Sequence, residues 1–311
     1  MRLIAAAVLG LSAAPDEGRM AERQVAALTE MVRAVNAGDA AAYARLYDVD
    51  ATITIPGSPA LEGRRAIEDY EKDLLREFPG ARLGFYAVWQ HGPVAAVHYA
   101  VNGRTPAGRS MGHEGLLFYR FLPSGLIADE RRYLDSLTPM AQLGALGPVP
   151  ARPLPTLPGG LEAHTATGSP SEGENVALVR ASLAALDSKD EGAFLAGIAD
   201  DAVLDELIEP QPSPGRRNVG AWFERWTRAI PDARSEITGI FGAGAFVLVE
   251  LVVSGTLDGP LGPIPAANKR FAVHRAAIFQ VKGGRLAGIS AFMNGKEIAQ
   301  AVGRWPPPLG K

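Results

Sequence analysis

The sequence predicts an α+β protein made of two tandem cone-shaped α+β barrel domains, each with three N-terminal helices packed on a curved, mostly antiparallel sheet. Three observations carry this reading. The 311 residues suit two domains at about 150 residues each. Residues 148–173, PVPARPLPTLPGGLEAHTATGSPSEG, hold five prolines between Pro148 and Pro158 and then small polar residues, a composition that stays extended and solvated. The halves on either side repeat one another in register. The chain then divides into a signal-like or disordered segment 1–20, a first domain 21–147, a linker 148–173 and a second domain 174–305.

Each copy starts with an amphipathic helix. Val25, Leu28, Val32 and Val35 recur at helical spacing, as do Val176, Val179, Leu183 and Leu186. Both lead into a turn and a short helix, where Asp39 and Asp190 are natural N-caps. At one offset Tyr43 stands opposite Phe194, and Asp50-Ala51 opposite Asp201-Ala202. A brief strand follows at 51–56 and 202–206. The third helix begins after Gly-Arg-Arg in GRRAIEDYEKDLLREFPGAR and GRRNVGAWFERWTRAIPDAR, and ends near Pro79 or Pro231. Alternation then predicts strands 83–90, 95–102, 111–121 and 126–134, and in the second copy 235–241, 246–255, 270–281 and 285–293. The last of these align without a gap, GLIADERRYLD on GRLAGISAFMN. Helices followed by a meander of strands make an α+β unit. Helices on one face of a strongly curved sheet leave a conical cavity.

Composition excludes several functions. A net charge of −3 argues against a nucleic-acid partner. Without cysteine there is no disulfide, thiolate nucleophile or Cys-ligated zinc. The five histidines lack metal-ligand spacing, so no metal is expected, and no glycine-rich phosphate loop signals a nucleotide cofactor. Met1–Ala14 reads either as a short export signal or as an apolar extension ahead of Met20, which leaves localisation open. No stretch is apolar enough for a membrane-spanning helix.

The second copy carries Gly255-Thr256-Leu257-Asp258-Gly259, then Gly262-Pro263-Ile264-Pro265, then Lys269-Arg270. The first keeps a shortened Asn102-Gly103-Arg104-Thr105-Pro106-Ala107-Gly108-Arg109. With the closing hairpins through Tyr133-Leu134-Asp135 and Phe292-Met293-Asn294, the chain resembles the SnoaL-like polyketide cyclases of the nuclear transport factor 2-like superfamily over about residues 21–146 and 173–304. The resemblance implies the cone fold and a small-molecule ligand. It also implies cofactor-free acid/base chemistry of the cyclase or isomerase kind on a mostly apolar cyclic or polyketide-like substrate. The superfamily equally hosts ligand-binding and assembly modules. Pairing through the open sheet face makes an internal pseudo-dimer, monomeric in solution, the corresponding expectation.

Candidate residues follow. Asp135 ends the last strand of the first copy, where related cyclases carry a general acid/base; it shares a face with Tyr133. The alternative is a surface Asp capping the next turn. His113 and Glu114 point to opposite faces, so one of them faces the cavity. His98 aligns with Glu250 in otherwise apolar strands, either lining the cone or facing solvent. Glu206 falls where related ketosteroid isomerases hold their proton-shuttling carboxylate, with His274 a partner for Glu206 or Glu250. Asn294 replaces Asp135 in the second copy, which removes proton transfer there. Tyr86, Trp89, Trp222 and Trp226 are either packing or the walls of a pocket for a ring-shaped ligand.

Overall fold

The computed structural model describes residues 15–305. The signal-like Met1–Ala14 lies outside the described residues. The first copy opens with α1 (Pro15–Ala37), which begins before the expected boundary at residue 21, and α2 (Ala40–Ala44). Gly38 turns between them at φ 70°, a conformation glycine adopts without strain, and Asp39 caps α2 by accepting from Ala42 N at 2.8 Å. There follow β1 (Tyr47–Thr54), β2 (Leu61–Glu62), α3 (Arg64–Glu77), β3 (Arg82–His91), β4 (Val94–Arg104), β5 (Ser110–Phe121), β6 (Ile127–Leu134) and α4 (Leu137–Gln142). After β7 (Glu162–Thr165) the second copy runs α5 (Pro170–Ser188), α6 (Glu191–Ala196), β8 (Ile198–Glu206), β9 (Ser213–Pro214) and α7 (Arg216–Ala229). It closes with β10 (Arg234–Ala243), β11 (Phe246–Thr256), β12 (Arg270–Lys282), β13 (Arg285–Met293) and α8 (Gly295–Ala301).

Both sheets are open rather than closed barrels, ordered β2-β1-β6-β5-β4-β3-β7 and β10-β11-β12-β13-β8-β9. Only β1 with β6, β8 with β13 and β3 with β7 pair in parallel. The copies bend at equivalent places, with register shifts between Phe85 and Ala87 in β3 and between Ile237 and Gly239 in β10. The recurring Gly-Arg-Arg has a structural use. Arg64 donates to Tyr47 O at 2.8 Å and Arg216 to Ile198 O at 2.9 Å, tying each third helix to its first strand.

The proline-rich segment departs from the solvated tether expected of it. Residues 162–165 add β7 to the edge of the first sheet, with Trp89 opposite His164. Upstream, Arg152 makes a bidentate pair with Asp205 at 2.9 and 3.0 Å, and Asn102 donates to Pro155 O at 2.8 Å. The segment is thereby tied to the first copy through its backbone and to the second through the Arg152 side chain.

Three apolar clusters hold the fold. One lies inside each cone, around Leu28, Ile53 and Val97 in the first copy and Val179, Leu204 and Val249 in the second. The third joins Trp89, Leu116, Phe118 and Tyr133 of the first sheet to Leu248, Ile278 and Phe292 of the second. The two sheets pack face to face, and polar groups fix their register. Arg131 donates to Glu250 at 2.6 and 2.9 Å, and Tyr133 Oη donates to Glu250 at 2.8 Å. Asp135 accepts from Gly295 N at 3.1 Å while Asn294 accepts from Ser136 N at 3.1 Å, a reciprocal exchange across the seam. The approach at Gly295 is close: a Cβ there would sit 2.6 Å from Leu137 Cδ1 and push that side chain aside.

Replacing Glu250 by Ala removes the acceptor of the Tyr133 hydroxyl and leaves Arg131 with Asp129 as its remaining carboxylate. Denaturant titration is expected to show a loss of about 2–5 kcal/mol, the range for truncating one partner of a buried, hydrogen-bonded charge pair.

Candidate active site

The alternation of the first sheet sends Phe85, Val97, Tyr99, Leu117 and Tyr119 to the concave face, where α1 and α3 cover them. All of these but Val97 line a cavity of about 390 Å³. Its walls are apolar, including Met31, Val35, Leu74 and Phe78, but a polar group sits within them. Glu130 is 1% exposed and Arg132 9%, both on β6. Arg132 Nε donates to Glu130 at 2.6 Å, Arg132 Nη2 donates to Tyr43 Oη at 2.6 Å, Tyr47 Oη donates to Glu130, and the Tyr43 and Tyr47 hydroxyls are 2.7 Å apart. With Tyr47 donating to the carboxylate, Tyr43 donates to Tyr47. The four side chains close a ring of hydrogen bonds in which Arg132 Nη1 remains without a protein acceptor. Arg132 also lies 5.7 Å from the Tyr70 ring centre.

Glu71 stands apart from this ring. It projects from α3 into the same cavity, is 5% exposed, and makes no hydrogen bond among the described residues. Burial raises its pKa above the ordinary carboxylate value; the charge of Arg132 pulls it down and that of Glu130 pushes it up again. Glu71 is thus an acid suspended among apolar walls, with a fixed cation nearby and no partner occupying its oxygens. Such surroundings favour the neutral acid and hold a carboxyl's pKa above its ordinary value.

The second cone is nearly full, with about 30 Å³ left. Trp222 and Trp226 stack at 5.5 Å between centroids, and Arg275 lies over Trp226 at 4.7 Å and pairs with Glu206. The equivalents of Tyr43, Tyr47, Glu71, Glu130 and Arg132 are Phe194, Ile198, Phe223, Ile289 and Ala291. One copy keeps the polar cavity, and the other fills the same volume with aromatic rings and one ion pair.

The expected site residues divide among several places: Tyr86, Trp89 and His98 line a cavity between the sheets, and His113 and Asp135 line a smaller one of about 240 Å³ under the proline-rich segment. His113 alone of the candidate acids and bases lines the first cavity. Its ring packs edge-on to Tyr99 at 5.6 Å, and burial lowers its pKa to about 4, so it is neutral above that pH. Asp135 is buried in the seam rather than exposed on a turn. It accepts from Leu137 N, Thr138 N, Thr138 Oγ1 and Gly295 N at 2.8–3.1 Å, with its pKa raised by burial against those bonds. Asn294 answers it across the seam and donates to Pro56 O at 2.8 Å. His98 and Glu250 face neither their cone nor solvent but the opposite sheet: His98 meets Phe292 at 5.4 Å, and Glu250 binds Arg131. Tyr133 and Trp89 belong to the same inter-sheet cluster. Tyr86 donates to Thr156 O at 2.6 Å beneath the proline-rich segment.

In the second copy Glu206 pairs with Arg275, and burial pushes its pKa up to about 7. His274 pairs with neither expected acid; it is half-exposed and binds Glu297 at 2.8 Å. Trp222 and Trp226 fill the core. Among the described residues no cluster of His, Cys, Asp or Glu is suited to a metal ion. Sequence reasoning missed Glu71, Glu130, Arg132, Tyr43 and Tyr47. The signal for them lay in the repeat itself, as polar residues facing apolar ones at aligned core positions.

An asymmetric pair of such cones defines a tandem of which one member keeps a cavity and the other is nearly filled. The SnoaL-like domain family model matches residues 28–130 and 179–289, and the chain belongs to that family, twice over. No curated protein matches the chain. Among solved structures, a candidate SnoaL-like polyketide cyclase from Jannaschia sp. CCS1 is 17% identical, aligned over 45% of this chain and 97% of its own, with a TM-score of 0.41. TsrD from Streptomyces laurentii is 22% identical over 42% and 96%, at TM-score 0.38. An LEH-like epoxide hydrolase of M. tuberculosis is 21% identical over 43% and 93%, at TM-score 0.37.

Two pH effects follow. The depressed pKa of His113 contributes stability that is present above its ordinary value of 6.5 and is lost as pH falls towards 4. The His113→Gln variant should show a flatter fall in thermal midpoint over that window. The raised pKa of Glu71 acts oppositely, its contribution being present below the ordinary 4.5 and lost as pH rises through the shifted value. The Glu71→Gln variant should therefore melt higher than the wild type at pH 8 and close to it at pH 4.

Proposed function

We propose that the protein is a cofactor-independent acid/base enzyme of the cyclase or isomerase kind, acting on a small, mostly apolar cyclic or polyketide-like ketone in the first cone. The observation that carries this reading is Glu71, a buried carboxyl with no partner inside a cavity of about 390 Å³ that also holds Arg132. An apolar wall suits an apolar ring, and a cavity of this size lies in the range of small-molecule sites.

In this reading Glu71 takes a proton from the carbon next to a substrate carbonyl. The electron pair left behind moves into the carbonyl, and the developing oxyanion is stabilised by Arg132, whose Nη1 is uncommitted. Glu71 then returns its proton. Return to a different carbon gives an isomer; if the enolate first attacks a second carbonyl of the same chain, return to the new alkoxide completes a ring closure. The Glu130–Tyr47–Tyr43 ring holds the guanidinium in place, so that little reorganisation is needed as charge develops. Neutral His113 at the rim is a hydrogen-bonding group rather than an acid. The second copy serves the first by covering its sheet.

The test is turnover of cyclic β,γ-unsaturated ketones, followed by conjugation in the ultraviolet, and of linear poly-β-keto esters, followed by ring closure. The Glu71→Gln variant should stay folded and lose about 10²–10⁴-fold in kcat, the usual share of general acid–base catalysis. The Asp135→Asn variant should lose stability at the seam and keep most of its kcat. The opposite result, with turnover resting on Asp135 and indifferent to Glu71, overturns the assignment. Recovery of bound ketone unchanged, with no turnover by the wild type, would establish a binding protein instead.

A further inference from the structure

A cavity of about 410 Å³ lies where three parts of the chain meet: α4 of the first copy, residues 149–152 of the proline-rich segment and the mouth of the second cone. It is outside both cones, and α4 is the wall between it and the Glu71 cavity. Pro139, Met140 and Leu143 turn to the Glu71 cavity, while Leu137, Thr138 and Ala141 turn to this one, the division expected of two faces of one helix. In the second copy Trp222 and Trp226 fill the cone and close the floor, so the open space lies at the mouth.

The frame is rigid. Pro150, Pro210, Pro260 and Pro263 stand around the opening on three separate segments, and each ring fixes its own φ. Arg152 clamps the proline-rich segment across the mouth through Asp205, at 2.9 and 3.0 Å, and through Glu209 O, at 2.7 Å. A site held open in this way loses little freedom when it is filled. Asp135 borders the cavity as well, but both its oxygens are committed to backbone and hydroxyl donors at the seam. One polar pair remains available. Arg225 Nη2 meets Glu209 Oε2 at 3.3 Å, and the two side chains are 49% and 24% exposed. That contact is long for an N–H···O bond. The other Arg225 N–H groups and Glu209 Oε1 make no hydrogen bond among the described residues.

The pair selects the ligand. A guanidinium only donates and a carboxylate only accepts. An anionic ligand would be set against Glu209, and a cationic one against Arg225. A neutral group with an acceptor and a donor side by side satisfies both. We propose that this cavity is a second small-molecule site, separate from the Glu71 cavity, which takes a neutral aromatic amide. The ring lies against Leu137, Ala141, Ile208 and Leu261, the carbonyl oxygen accepts from Arg225, and the amide N–H donates to Glu209. The site is made by the tandem arrangement, since the first copy, the joining segment and the second copy each supply a wall. It depends on no assumption about turnover in the first cone.

The test uses the full chain, labelled with 13C at the alanine and methionine methyls, with 1-naphthamide as probe. The Ala141 methyl resonance, assigned by its loss in Ala141→Ser, should shift saturably as the amide is added. The Met31 and Met111 methyls, which line the Glu71 cavity, should stay in place. The Arg225→Gln variant, altered on an exposed helix face, should weaken binding by about tenfold, as expected for loss of one hydrogen bond from a charged donor. Ala151→Trp, at an exposed position on the rim, should block the titration while leaving the thermal midpoint unchanged. 1-Naphthoate and 1-naphthylmethylamine should both bind more weakly than the amide. An unshifted Ala141 methyl at the solubility limit of 1-naphthamide, or a titration that moves Met31 and Met111 and is indifferent to Ala151→Trp, overturns the proposal. Tighter binding of either charged analogue overturns the assignment to a neutral amide.

Discussion

A curved sheet has two faces, and both must be covered. In each copy the helices take the concave face, which leaves the other face apolar and unpartnered. Here the second copy covers the first. Trp89, Leu116 and Phe118 from one sheet meet Leu248, Ile278 and Phe292 from the other. The hydrophobic effect supplies the attraction but little direction. Direction comes from a few polar anchors, Glu250 with Arg131 and Tyr133, Asp135 with Gly295 N, and Asn294 with Ser136 N. The length of the proline-rich segment follows from this pairing, since it has to carry the chain across the seam, and it is used on the way as a strand and a strap.

The same pairing explains how two copies of one domain diverge. Once each sheet is covered, one cone is free to give up its cavity. The second copy fills its cone with Trp222, Trp226, Phe223 and the Glu206–Arg275 pair. That packing suits stability. The first copy retains Glu71, Glu130 and Arg132 in an apolar enclosure, an arrangement that is unfavourable for folding unless the buried charges find partners. Glu130 and Arg132 find them in Tyr43 and Tyr47. Glu71 does not, and a group kept at a cost to stability is where chemistry is most naturally sought.

Much of the fold was legible in the sequence because it rests on periodicity, and periodicity is local. The helices, the strands and their order follow from spacings of two and of three to four residues, and the repeat checked each copy against the other. The candidate site was less legible. Asp135 stood out as an acid at the end of a strand, yet its position is explained by the caps it provides to α4 and, across the seam, to α8. His98 and Glu250 were visible as polar residues in apolar strands. The choice then lay between cone and solvent, and the answer, the opposite sheet, was not visible from one copy alone. Glu130 and Arg132 went unremarked because Asp-Glu-Arg-Arg reads as an ordinary charged strand. Only the parity of β6, set by its pairing with β5 and β1, turns these two inward.

The sequence by itself determined that there are two copies, that each is helices followed by a curved sheet, and that thiol chemistry is absent, since these depend on residue type and on neighbours a few positions apart. Tertiary structure decided which of two similar cones stays hollow and which carboxyl is left without a partner. It also decided that the sheets meet face to face, with a cavity at their edge. Those outcomes depend on volumes and hydrogen bonds between residues as many as 238 positions apart, as in Asn294 with Pro56, and no local pattern specifies how such distant groups fill a common space.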